Sequence, residues 1–82
     1  MQQEEIIKKI NQLLIEEIEI DDSQISPGAS LKDDLGIDSL DFVDLFVIIE
    51  HHFGFKMKAE DMSGVITLED FYNFIIRRVN PN

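Results

Sequence analysis

Ser39 is the residue in this chain best placed to take part in chemistry, because of its setting in Asp34-Leu35-Gly36-Ile37-Asp38-Ser39-Leu40-Asp41. An acidic loop gives way there to an apolar helix. Asp38 reads as the helix N-cap, and Asp41, three residues on, is the acidic partner of a capping box. That spacing puts Ser39 in the first turn, with its hydroxyl facing solvent. A phosphate ester formed on it would sit near the positive end of the helix dipole and its free N–H groups. The chemistry suggested is modification of the serine, not catalysis by it.

Rival chemistries fail on residue type or spacing. The chain has no cysteine, hence no thiolate nucleophile, disulfide or cysteine metal site. His51 lies three turns further along the Ser39 helix, roughly 18 Å away at 1.5 Å per residue, too far to act as its base. His51 and His52 are adjacent, so on a helix they diverge and share no metal site; the C-terminal dipole favours their cationic forms. An EF-hand loop with its glycine at Gly36 would call on Leu31, Asp33, Leu35 and Phe42, and three of those four cannot coordinate through a side chain. Gly28, Gly36, Gly54 and Gly64 form no phosphate cradle.

The elements that must position Ser39 are helical. Ile6, Ile10, Leu13, Leu14 and Ile18 recur at helical spacing, which predicts a first helix from about Gln3 to Ile18. The periodicity breaks from Glu19 to Asp38. Ser26-Pro27-Gly28 is a turn signal, while Ile25, Leu31, Leu35 and Ile37 are apolar anchors. A connection this long is therefore expected to pack across the domain, with a short turn at Lys32–Leu35. A second helix runs from Ser39 to His52 or Phe53, stopped by Gly54. Phe42, Leu45, Phe46, Ile49 and Phe53 share one of its faces. Asp41, Asp44, Ile48 and His51 lie roughly opposite, flanked by Leu40 and Val47. It is apolar over more than a core stripe needs, and apolar surplus rimmed by acid predicts a docking surface.

Phe55-Lys56-Met57-Lys58 alternates like a strand but has no evident pairing partner, so it reads as a connector, followed by a short helical turn near Ala59–Met62. Thr67 and Asp70 form another capping box and open a last helix carrying Leu68, Phe71, Tyr72, Ile75 and Val79. Arg77 and Arg78 close it, with Pro81 beyond. Phe42, Phe46, Phe53, Phe55, Phe71, Tyr72 and Phe74 are expected to be mostly core. The fold class is all-α: a small four-helix bundle of three main helices plus one short helix, with a long first loop, over a single domain of residues 1–82.

An apolar fraction of 44% is enough to fold. Seventeen acidic against seven basic residues give a formal charge of −10. That surface disfavours nucleic acid and anionic membranes, and basic protein surfaces are its natural complement. Met1-Gln2-Gln3-Glu4-Glu5 lacks the features of a signal peptide, and no apolar run reaches spanning length, so a cytoplasmic protein without membrane insertion is expected.

The chain resembles the acyl carrier proteins. Ala29-Ser30-Leu31, Asp33-Asp34, Leu35-Gly36, Asp38-Ser39-Leu40-Asp41 and a helix ending in Glu50-His51-His52-Phe53-Gly54 follow that family's order and spacing, as do the Glu60-Asp61 turn and the Thr67-led helix. The resemblance implies that Ser39 is the attachment site of 4'-phosphopantetheine, transferred from coenzyme A by a separate phosphopantetheinyl transferase with Mg²⁺. The thiol of that arm carries an acyl group as a thioester and presents it to fatty-acid, polyketide or related pathway enzymes. It further implies that Asp38 docks the transferase and its metal. Asp41 and Asp44 would pair with basic surfaces of acyl-chain synthases, acyltransferases or acyl ligases, around an apolar centre of Leu40, Val43, Val47 and Ile48. Phe42, Leu45, Phe46 and Ile49 would line the cargo pocket. The protein itself is not an enzyme, and a monomer is expected.

Phe42 and Phe46 are bulkier than the residues many members place on this helix. They either narrow the interior cavity or shape it for a rigid, unsaturated or aromatic cargo. His51 and His52 stand where acidic residues are common, and Lys56 and Lys58 make the following loop basic. These departures weaken the expectation of a general fatty-acid carrier and set beside it, on an equal footing, a specialised carrier of a secondary-metabolite or lipid pathway; the chain also resembles stand-alone carriers of aryl-polyene-type pathways. Two alternatives stay open: a peptidyl or D-alanyl carrier charged by an adenylating enzyme, and an acidic helical adaptor that is never modified. The negative charge and the aspartate after Ser39-Leu40 favour the acyl type.

Overall fold

The computed structural model describes residues 2–80. Three α-helices form its frame: α1 (Gln3–Glu16), α2 (Ser39–Phe53) and α3 (Leu68–Val79), with 3₁₀ turns at Asp22–Gln24 and Ala59–Met62. The expected short helix at Ala59–Met62 is therefore present as a 3₁₀ turn, and a second such turn interrupts the long loop. Pro81 lies outside the described residues.

Ile6, Ile10, Leu13 and Leu14 of α1 face Leu68, Phe71, Tyr72 and Ile75 of α3, and Leu45 and Ile49 of α2 join the same core. No polar side chain is buried among the described residues. The Tyr72 hydroxyl donates to Asn11 Oδ1 and ties α3 to α1 at the core margin. Burial pushes the Tyr72 phenol above its ordinary range, and the bond to Asn11 partly offsets that. Of the seven aromatics expected to be mostly core, only Phe71 and Tyr72 are buried; the other five are half-buried at its edge.

Helix α1 stops two residues short of the expected Ile18. The chain turns because Glu19 adopts a left-handed conformation, φ 64°, and Ile20 N–H caps the Leu14 carbonyl at 3.0 Å. The turn delivers Ile20 to the core. The long loop is packed, as its apolar anchors require. Ala29, Leu31, Leu35 and Ile37 are buried, and a turn spans the Lys32–Leu35 segment.

That loop is also stitched to the start of α3, which the periodicity did not indicate. Ser30 and Thr67 form an antiparallel bridge. Leu31 N–H donates to the Ile66 carbonyl at 3.0 Å, Leu68 N–H to Ala29 at 2.9 Å, and Glu69 N–H to Pro27 at 2.9 Å. Phe55–Lys58 has no regular secondary structure and joins no strand, as a connector should.

Candidate functional site

Ser39 owes its position to two constraints. Upstream, Ser30 folds the loop on itself. Its carbonyl accepts from the Asp34 and Leu35 N–H groups at 3.0 Å each, its hydroxyl accepts from Asp33 N–H at 3.1 Å, and its own N–H donates to the Asp34 carboxylate at 2.7 Å. Gly36 then takes φ 70°, a left-handed turn natural to glycine, and Ile37 plugs into the core. Downstream, the capping box fixes where α2 begins. Asp38 Oδ1 accepts from Asp41 N–H at 2.9 Å, and Asp41 Oδ2 accepts from Asp38 N–H at 3.3 Å.

Ser39 is the first residue of α2 and is exposed. Neither its N–H nor that of Leu40 finds a protein acceptor among the described residues. An exposed hydroxyl thus stands beside two unpaired backbone donors at the positive end of a 15-residue helix. Gly54, φ 79°, ends α2 at the expected residue.

One side of α2 leaves apolar residues open to solvent. Leu40, Val43 and Val47 are 76%, 58% and 62% exposed, with Asp44 exposed among them. Two expected members sit differently. Ile48, expected roughly opposite the core face, is half-buried against the core, because the buried stripe of α2 is centred on Leu45 and Ile49 and Ile48 lies at its edge. Asp41 is half-buried and committed to the capping box, so its carboxylate has a structural task before any partner arrives.

A cavity of about 940 Å³ opens beside Ser39, and Asp38, Ser39, Phe42, Val43 and Phe46 form its α2 side. Leu31 and Ile37 of the loop, Ala59 and Met62 of the second 3₁₀ turn, and Val65 and Ile66 after it contribute the rest of its apolar lining. Leu45 and Ile49, expected on this wall, are not part of it. They are fully buried in the core, one helical step away from Phe42 and Phe46. Conversely, Ile66 was missed. It precedes the α3 N-cap, where an apolar residue ordinarily staples inward, yet it is 65% exposed at the cavity rim. No local sequence signal marks that outcome, since its carbonyl is held by Leu31 from across the fold.

Helix α3 anchors that rim through Asp70, whose Oδ2 accepts from Ile66 N–H and Thr67 N–H at 3.1 Å each. The backbone donors of Thr67 and then Ile66 hold the Asp70 carboxyl below the ordinary aspartate range. At the far end of α2, His51 and His52 are exposed and meet edge to face, with ring centroids 5.2 Å apart. Lys9 lies 5.7 Å from the Phe53 ring, and Arg78 lies 4.8 Å from Phe55. Among the described residues no group of three or more His, Asp or Glu side chains could hold a metal ion, and no helix is long and apolar enough to cross a membrane.

Comparison with known proteins agrees with this geometry. The family described as the phosphopantetheine attachment site matches residues 8–75. The acyl carrier protein of Thermotoga maritima is 38% identical over 93% of this chain and 94% of its own length. That of Rubrobacter xylanophilus is 33% identical over the same shares. A crystal structure of an acyl carrier protein from Thermotoga maritima superposes with a TM-score of 0.79 at 23% identity, covering 99% of this chain and 94% of that one, a likeness of fold. The chain is a member of the acyl carrier protein family: a carrier domain that is not an enzyme, and whose prosthetic group is 4'-phosphopantetheine.

Proposed function

We propose that this protein carries acyl groups for fatty-acid, polyketide or related pathway enzymes, with 4'-phosphopantetheine joined to Ser39. One observation carries the assignment to that residue. Ser39 presents an exposed hydroxyl at the capped start of α2, beside two unpaired N–H groups and on the lining of an apolar cavity. The residues present fit the group: the hydroxyl offers the ester oxygen, and the Ser39 and Leu40 N–H groups can donate to a phosphate. When bound, the group supplies a thiol on a flexible arm, to which cargo is joined as a thioester; the chain has no cysteine of its own.

The chain's own part is position and recognition. The Asp38–Asp41 box holds the first turn of α2 rigid, so a transferase meets Ser39 in one orientation. Leu40, Val43 and Val47 form an apolar centre, and Asp44 with the outer edge of Asp38 supplies negative charge for basic partner surfaces. Intact-mass measurement after incubation with coenzyme A, Mg²⁺ and a promiscuous phosphopantetheinyl transferase tests the reading. The wild type should gain one phosphopantetheinyl group and Ser39→Ala none. Absence of any gain with several transferases would remove it.

A further inference from the structure

The cavity beside Ser39 is large and partly aromatic, and both properties bear on what it holds. Its volume of about 940 Å³ stands at the top of the range of roughly 300–1,000 Å³ usual for small-molecule pockets. Phe42 and Phe46 therefore do not narrow it to closure; they line it. The two side chains sit one turn apart on α2, with ring centroids 6.2 Å apart and ring planes 30° from parallel. Each is half-buried, in contrast with Phe71 and Tyr72 of α3, which belong to the buried core. The fold thus fills its core without these two rings and leaves part of their surface on an open cavity.

We propose that this cavity accepts an acyl chain bearing a flat, conjugated or aromatic segment, and that Phe42 and Phe46 select it over a saturated chain of equal length. The proposal rests on Ser39 being the attachment point, since Ser39 lines the same cavity. Two physical effects favour the flat chain. Aromatic rings gain from a second π system beyond the area they bury, because quadrupoles attract in offset or edge-on arrangements. A conjugated chain is also already planar and stiff, whereas a saturated one loses rotor freedom on being held. The rings restrain each other one turn apart, so the wall is formed before the cargo arrives. Met62, Val65 and Ile66 supply apolar contact for either cargo and do not discriminate.

The test loads the full chain from cinnamoyl- and nonanoyl-coenzyme A, of equal carbon count, using a promiscuous transferase. Thioester cleavage by hydroxylamine is timed on the protein and, for reference, on free pantetheine, which removes the intrinsic difference between the two thioesters. The cinnamoyl group should be protected roughly three- to tenfold more than the nonanoyl group, the factor expected for one or two aromatic contacts. Its absorption band should also shift on the wild type and return toward the free value in Phe42→Leu/Phe46→Leu. Equal protection of both cargoes on the wild type would overturn the inference, and that comparison needs no variant to fold. Discrimination that survives in a folded double variant would overturn the role of the two rings. If neither cargo is taken up, the assignment of Ser39 itself fails and this inference falls with it.

Discussion

Asp38 and Asp41 hold each other across the first turn of α2, each carboxylate accepting the other's backbone N–H, at 2.9 and 3.3 Å. The pair decides where the helix starts, and so which residue stands first in it. One residue of slippage would turn Ser39 by about 100°. The acidity flanking the serine is thus architectural before it is electrostatic, and the two roles can be separated by substitution.

Asp38→Ala should cost about 1 kcal/mol, the usual value of an N-cap, and lower Tm by roughly 4–8 °C in a domain of this size. Asp38→Asn keeps a capping oxygen and should leave Tm near the wild type. If Asp38 also meets the transferase, Asp38→Asn should still slow modification of Ser39. Thermal unfolding and loading rates on both variants check the split; an Asn variant loaded at the wild-type rate would confine Asp38 to capping.

Asp44 is exposed and its carboxylate has no hydrogen-bond or ion-pair partner among the described residues, so it reports recognition without the structural task that burdens Asp41. Asp44→Lys should leave unfolding within about 0.5 kcal/mol of wild type, as surface changes do. It should slow transferase turnover several-fold at low salt, and the deficit should shrink as salt screens the interface. Equal rates at low salt would remove Asp44 from the docking face.

The helices and caps were legible because their causes are local. Thr67 with Asp70, Asp38 with Asp41, and Gly54 each declare a helix end within four residues, and all three ends fall where expected. Departures arose where distant contacts decide. Glu19 adopts φ 64° without being glycine because Ile20 must reach the core. The Ser30–Thr67 bridge joins segments 37 residues apart with no strand periodicity in either. At the site, the wheel set Leu45 and Ile49 beside Phe42 and Phe46, but a wheel does not say how deep the core reaches; the first pair is buried and the second borders the cavity.

Left-handed backbone is costly for a residue with a Cβ, so Glu19→Gly should relieve strain. The glycine's added freedom in the unfolded chain offsets part of the gain. A net stabilisation of roughly 0.5 kcal/mol is expected, read as a higher denaturation midpoint with an unchanged slope. A lower midpoint would contradict the conformation at this turn.

Asp70 ties acid sensitivity to the cavity rim. Its folded-state carboxyl is held below the ordinary aspartate value by the Thr67 and Ile66 N–H groups, so the folded protein binds fewer protons here than the unfolded chain does. The contribution is complete above the unfolded aspartate value of about 3.9 and is lost as pH falls through the lower folded value. Asp70→Asn should flatten the acid limb of the stability profile below about pH 4 and leave its neutral shape unchanged. An acid limb as steep as the wild type's would rule out that contribution.

With a formal charge of −10 and a single ion pair among the described residues, Lys58 with Glu60, the fold repels itself. Raising sodium chloride from 10 to 150 mM shortens the screening length from about 30 to about 8 Å and should raise Tm. A salt-independent Tm would show that the carboxylates are neutralised by means the fold does not display.

The chain has five serines, at positions 23, 26, 30, 39 and 63, and only one of them opens a long capped helix on the lining of the cavity. Fragmentation mass spectrometry of the coenzyme A-treated protein reads directly which of them carries the phosphopantetheinyl group. The added mass should localise wholly to Ser39. Its appearance on Ser30 or any other serine, or on none, would contradict the account.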